Sequence, residues 1–369
     1  MGNQSHFRKN ENISDRMIEN LENKEKSTRK YIMENIREGD LDSVFGLLPD
    51  EIVLYIFQYL RKDYLHICSK TCTRFFFLAY DFQLWKKIEV SLASQAITDS
   101  KVKSAIRHSL RTEELKINQG FSLTSKALSY LTQNARYLKR LSLSRTRKLK
   151  TQEFEKITKT FQNSLEELML YDCSFLADNL DFLADFTKIQ KIVLHSPEIE
   201  TIPEKISGNP NLNFLEISRS LLSMPQFYLE KPPLSISSLN NFTSLNVLKI
   251  NFANWSIFPN EICFLKNLQA LDLSDNRFVQ IPKEIENLKQ LLFLNLSNNQ
   301  IIELPTSLGS LSLLDYLDIR SNNLEFLPKS LLNLSNLSCF LISGNNFIEA
   351  PSAIYTGEIK FIWDWLKRK

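Results

Sequence analysis

Glycine is scarce in this chain, at 8 of 369 residues, and no glycine-rich loop suited to cradling a phosphate occurs. With 43% apolar residues, this excludes collagen-like and low-complexity polymers and implies a folded protein with a large core. Histidine is rarer still, at 4, and the five cysteines Cys68, Cys72, Cys173, Cys263 and Cys339 form no C-x-x-C pair. An odd, unpaired set fits reduced thiols in an intracellular compartment rather than a disulfide framework. Cys68 and Cys72 stand at i and i+4 with only His66 nearby, so they read as small buried hydrophobes, and no metal or other cofactor is expected. Charge of one sign is not in excess either. The 45 basic and 42 acidic side chains leave +3, too little for the footprint of a nucleic-acid or membrane-surface binder. Long hydrophobic runs are missing: the most apolar, Phe75 to Tyr80, is far too short to span a bilayer, and MGNQSHFRKN at the N-terminus has no signal-like apolar region. No Ser/His/Asp or Cys/His grouping is legible, so the chain is expected not to be an enzyme.

What is present is repetition. A frame L-x-x-L-x-L recurs, and its middle position is filled by Leu115, Leu141, Leu168, Ile192, Leu215, Leu248, Leu271, Leu294, Leu317 and Phe340. From Leu248 onward the spacing is 23 residues throughout, and the pattern resembles that of leucine-rich repeats, about ten of them. Asn276, Asn299, Asn322 and Asn345 follow their anchors by five residues, where a side-chain amide can bond adjacent turns into a ladder. Pro259, Pro282, Pro305, Pro328 and Pro351 mark the returning arm, where a missing N–H harms no sheet. The earlier, longer units leave room for an α-helix, as at Phe154 to Phe161, whereas the 23-residue units have room only for short 3₁₀ or extended turns. One 33-residue unit carries an insertion at 229–235, a secondary candidate contact region. Ile359, Ile362, Trp363 and Leu366 outline an amphipathic helix that covers the last coil.

Side chains alternate along a strand, so the residues on either side of each anchor face the concave surface. Those expected to bind a protein there are Phe214, Glu216, Lys249, Asp272, Phe293, Asn295, Tyr316, Asp318 and Leu341. Phe293 and Tyr316 beside Asp272, Asn295 and Asp318 have the anchor-and-rim character of a hot spot, although one coil's aromatic ring can equally serve to cover its neighbour.

Ahead of the repeats, Leu48-Pro49-Asp50-Glu51 opens a helix with Ile52, Ile56 and Leu60 at i, i+4 and i+8, and a second helix carries Leu65, Cys72 and Phe75 before Leu84-Trp85 closes the segment. Helical spacing alone is also what a small cap over the first coil would show. The run L-P-D-E-I, I-F-x-x-L, D-Y-L, C-x-x-F and L-W, in this order and spacing, resembles an F-box over its length.

Residues 1–28 mix Lys, Glu and Asn with few apolar side chains and are expected to be disordered, 29–44 to form a helical leader and 352–369 the capping helix, while the resemblances set the F-box at 45–90 and the leucine-rich repeats at 91–351. The fold class expected is an α/β solenoid: a helical F-box, then a curved repeat array with a parallel sheet on its concave face. By the same resemblance, Leu48, Pro49, Ile52, Ile56, Leu60 and Leu65 bind a Skp-type adaptor that holds a cullin scaffold. The repeats then capture the protein to be ubiquitinated, in the cytoplasm. The 23-residue units are similar to those of bacterial and plant-type repeat proteins, which makes a bacterial effector acting in a host cytosol one form of this reading. The alternative is a repeat scaffold with no coupling to a ubiquitin ligase.

Overall fold

A computed structural model describes residues 48–60, 62–91, 97–106, 111–178, 180–219, 232–236, 239–348, 350–356 and 358–368. The expected disordered segment 1–28, the leader 29–44, the first F-box residues 45–47 and insertion residues 229–231 lie outside them. The chain divides into two compact units, 1–86 and 87–369.

The first unit is helical. Helix α1 (Asp50–Gln58) follows Pro49, whose φ of −56° and ψ of 151° lead into the helix, and Asp50 and Glu51 complement its positive end. Val53 and Phe57, one turn apart, are its buried residues, and the Phe57 ring meets Phe75 edge to face at 5.2 Å. Helix α2 (Lys62–Cys68) precedes α3 (Thr73–Ala79), which is capped by Cys72, its Sγ accepting from the Phe75 N–H at 3.4 Å. Helix α4 (Phe82–Trp85) is capped by Asp81, which accepts from Gln83 N–H at 2.9 Å. The Trp85 indole donates to the Ala79 carbonyl at 2.8 Å, satisfying a polar atom that burial would otherwise strand.

The second unit is a solenoid built on one parallel sheet of eleven strands among the described residues, in the order β1 (Lys87–Val90), β2 (Glu114–Ile117), β3 (Arg140–Ser144), β4 (Glu167–Tyr171), β5 (Lys191–His195), β7 (Phe214–Ser218), β9 (Val247–Asn251), β10 (Ala270–Asp272), β11 (Phe293–Asn295), β12 (Tyr316–Asp318) and β13 (Cys339–Leu341). The ten anchors pair with one another in unbroken register and are all fully buried. One coil precedes them. Ile88 pairs with Leu115, so Lys87–Val90, placed within the F-box by the sequence, belongs to the sheet, and the strands number eleven rather than about ten. Trp85-x-x-Ile88-x-Val90 keeps the repeat frame with no leucine in it, which is why a leucine pattern passes over it.

Helices α6 (Ser125–Asn134) and α7 (Thr151–Phe161) return the longer early coils, α5 being Asp99–Ile106, and 3₁₀ turns return the later ones. Pro203, Pro259, Pro282, Pro305 and Pro328 each stand immediately before such a turn. The expected asparagine ladder is present. Asn299 Oδ1 accepts from Phe278 N–H at 3.1 Å, while its amide donates to the carbonyls of Leu273 and Leu296 at 3.1 and 3.0 Å. Past the insertion, β8 (Ser235–Ile236) pairs with β6 (Thr201–Ile202) outside the main sheet, and the Trp255 indole donates to Leu234 O at 2.7 Å. Helix α8 (Ile359–Arg368) buries Ile362, Trp365 and Leu366, and Trp363 lies 5.6 Å from Phe340, the last anchor.

Candidate protein-binding surfaces

Helix α1 carries apolar residues on two faces. Val53 and Phe57 point into the unit, while Ile52, Tyr55 and Tyr59, spaced three and four residues apart, are exposed on the opposite side. Tyr64, Ile67, Phe76 and Phe82 add further exposed apolar area on the other helices of this unit. The turn into α1 is held by Arg74, a residue that sequence reasoning passed over. Its guanidinium donates to the Leu48 carbonyl and, through Nε at 2.8 Å, to Asp50 Oδ1. Lys62 donates to the Leu84 carbonyl and lies 5.3 Å above the Trp85 ring, and burial pulls its pKa below the usual lysine range.

Of the residues assigned to adaptor contact, Pro49 and Ile52 are exposed and Leu48, Ile56 and Leu60 are half-buried. Leu65 is corrected: it is 0% exposed, a core residue with no surface to offer. Its helix turns the face that carries Leu65 inward and presents Tyr64 and Ile67 instead.

On the open face of the sheet, neighbouring coils exchange charges and ring contacts. Glu216 is the centre of one such row: Oε1 lies 2.7 Å from His195 Nε2, and Oε2 lies 3.5 Å from Lys249 Nζ. The His195 hydrogen bond, helped by Lys249 and opposed by burial, holds the Glu216 carboxyl below its usual range. The Phe214 ring lies under the ammonium groups of Lys191 and Lys249 at 4.4 and 5.6 Å, and Tyr171 meets His195 edge to face at 5.0 Å. Phe214, Glu216 and Lys249 are thus brought together on adjacent strands. Lys191, Tyr171 and His195 complete the cluster and were not among the residues expected there: Lys191 stands beside its anchor Ile192, while Tyr171 and His195 lie three places after theirs, one further step of the same alternation.

Three and four coils beyond Phe214, Phe293 and Tyr316 stack at 4.5 Å. Both are half-buried, as are Asp272, Asn295 and Leu341. The polar side chains beside the stack form local turns. Asp272 Oδ1 accepts from Ser274 N–H at 3.0 Å, Asn295 Oδ1 from Ser297 N–H at 3.0 Å, and Asp318 Oδ1 from Arg320 N–H at 3.0 Å. Asp318 is corrected as a rim residue: it is 1% exposed and chelated by the Arg320 guanidinium, with Nη2 to Oδ2 at 2.6 Å. Arg320 presents its charge on that surface, with its side chain 47% exposed.

Residues 45–91 match the F-box-like family model, and residues 283–356 match that of a leucine-rich repeat region. Among solved structures, the chain is similar to a leucine-rich-repeat protein of Leptospira interrogans, at 22% identity and a TM-score of 0.47, over 71% of this chain and 67% of that one. It is also similar to an internalin of Listeria monocytogenes, at 17% identity and a TM-score of 0.46, over 80% and 91%. No curated protein matches.

Proposed function

We propose that this chain, which joins an F-box-like domain to a leucine-rich-repeat solenoid, is the substrate-recognition subunit of a Skp-cullin-F-box ubiquitin ligase. It works without catalysis of its own. The helical unit binds a Skp-type adaptor, and through it the cullin, while the sheet face holds the protein to be ubiquitinated. The site of action is the cytosol, that of a host cell if the chain is a translocated bacterial effector.

One observation carries this reading. Helix α1 keeps Ile52, Tyr55 and Tyr59 exposed although Val53 and Phe57 already supply its inward face. A helix that only capped the first coil has no use for a second apolar side, whereas one that docks a foreign subunit requires it. The repeat half contributes a rigid surface of strands, on which side chains such as Phe214 and Phe293 are held by neighbouring coils rather than by flexible loops.

The test is co-purification of the full chain with a eukaryotic Skp adaptor and cullin. The native protein brings both down, and Leu48→Ala with Pro49→Ala abolishes the complex while the thermal melt of the repeats is retained. If the native chain captures partners through its repeats but never the adaptor, the ligase reading gives way to that of an interaction scaffold.

A further inference from the structure

The geometry points to a second protein-binding site, away from the sheet face, along the edge of the array just ahead of the recurring prolines. Ile257, Val279, Ile302, Phe326 and Ile348 stand two or three residues before Pro259, Pro282, Pro305, Pro328 and Pro351, one in each of five consecutive coils. Their exposures run from 40% at Val279 through 54% at Phe326 to 83% at Ile257. Single exposed apolar residues are ordinary, but here each of five successive coils places one at either of two adjacent exposed positions, the other being Ser256, Gln280, Glu303 or Glu325 in the first four, so the strip is apolar with polar groups interleaved. In four of the five coils the position next to the proline, filled by Phe258, Ile281, Leu304 and Leu327, already supplies the buried contact.

Hydrogen bonds fix these segments against one another: Ile302 N–H donates to Val279 O at 3.1 Å, Ile348 N–H donates to Glu325 O at 3.1 Å, and Gln280 and Glu303 form a parallel bridge. With coils about 4.8 Å apart, the ridge is about 19 Å long. A half-open groove of about 510 Å³ lies along it, lined by Ile302, Leu304, Phe326 and Leu327, with Glu303 and Glu325 as its charged walls. That volume suits buried apolar side chains of a ligand, and both charges are acidic.

The occupant that fits is a cationic amphipathic helix of a partner protein. A helix laid along the ridge advances about 5.4 Å per turn, close to the coil spacing, so apolar residues at i, i+4 and i+7 fall on successive coils. Its Lys or Arg residues then meet Glu303 and Glu325. About thirteen residues span the ridge at 1.5 Å each. An anionic lipid surface is repelled by the same two carboxylates.

The experiment uses the full chain and a fluorescein-labelled 16-residue peptide with Leu at i, i+4, i+7 and i+11 and Lys flanking them, read by anisotropy. Saturable binding is expected, weakened about tenfold or more by Glu303→Lys with Glu325→Lys and by Phe326→Ser, each with a native circular dichroism melt. Phe293→Ala with Tyr316→Ala leaves it unchanged, which separates this site from the sheet face. No binding, equal binding of a peptide with Glu in place of Lys, or indifference to the charge reversal overturns the proposal. So does saturable uptake of phosphatidylglycerol vesicles in its place.

Discussion

The rings of Phe293 and Tyr316 lie parallel on adjacent coils, their centroids 4.5 Å apart and their planes 11° apart. Each ring covers part of its neighbour, so the pair both braces the sheet face and leaves one broad apolar surface half open. Such a stack is worth about 0.5–1.5 kcal/mol beyond area burial, a small part of the stability of a solenoid this long. Replacing both with alanine is therefore expected to leave a cooperative melt only slightly lowered while abolishing capture of repeat-dependent partners. Captured proteins that stay the same in number and amount, with the fold intact, would place the substrate elsewhere.

The Leu48 carbonyl and the Asp50 carboxylate share one guanidinium, that of Arg74. A planar fork serves both acceptors at once in a fixed geometry, whereas an ammonium is a point charge whose donors are not held in that arrangement. Arg74→Ala is expected to loosen the Leu-Pro turn and reduce adaptor co-purification, with little change in the melt of the repeat unit. Arg74→Lys keeps the charge yet restores adaptor binding only in part. Full restoration by lysine would mean that charge alone matters there.

The repeat half was largely legible in the sequence because a coil is a local rule applied many times. An anchor fixes its strand, and the anchors from Leu115 to Phe340 fall in one unbroken register. The first strand escaped because its frame positions are Trp85, Ile88 and Val90, a substitution that keeps apolar character but not residue type. Surface roles were harder to read. Leu65 and Ile67, two residues and so about 200° apart on one helix, fall on opposite faces, and spacing alone does not say which of the two packs inward. Asp318 has the alternation of an exposed residue, but Arg320, two positions on, folds over it. A neighbour's rotamer has no periodic signature.

Burial separates the thiols. The apolar surroundings of Cys173 and Cys263 push their pKa values up to about 11 and about 12, so neither offers a thiolate near neutrality. Cys68, Cys72 and Cys339 are half-buried, and all five thiols are free. Brief treatment with a maleimide at pH 7 is expected to label at most three sites in the folded protein and five after denaturation, as counted by intact mass. Rapid labelling of Cys173 in the native state would show that its coil opens locally.

The Glu216 carboxyl is held below its usual range chiefly by the hydrogen bond with His195. A lowered folded-state pKa means that the stabilisation is fully present above the unfolded value and is lost as the pH falls through the folded one. Asp275, raised by burial, contributes with the opposite sign, so the comparison must be made against a variant. Glu216→Gln is expected to be less stable than the native chain at pH 7, with the gap closing as the pH falls from about 5 to about 3 in urea melts. A gap that is constant over this range would assign the loss to packing rather than charge.

Asn299 sits inside the ladder and Asn345 at its end, where it is more open to water and makes one carbonyl contact fewer. Asn299 serves Phe278 N–H and the carbonyls of Leu273, Leu296 and Ser297, all within buried surroundings that join two coils. Asn345 makes the matching bonds to Leu324 N–H and to the Ile319 and Ile342 carbonyls, but it is only partly buried. Truncating Asn299 to alanine leaves stranded polar groups that no solvent reaches, at a cost of about 2–3 kcal/mol. At position 345 water can replace the lost amide, so the cost is expected to be about half as large. Because each coil is stabilised by its neighbours, the interior change is also expected to divide the array, giving an urea transition broader than that of the native protein. Equal losses at the two positions in urea melts would show that the ladder is stabilised by the bonds themselves and not by the exclusion of water around them.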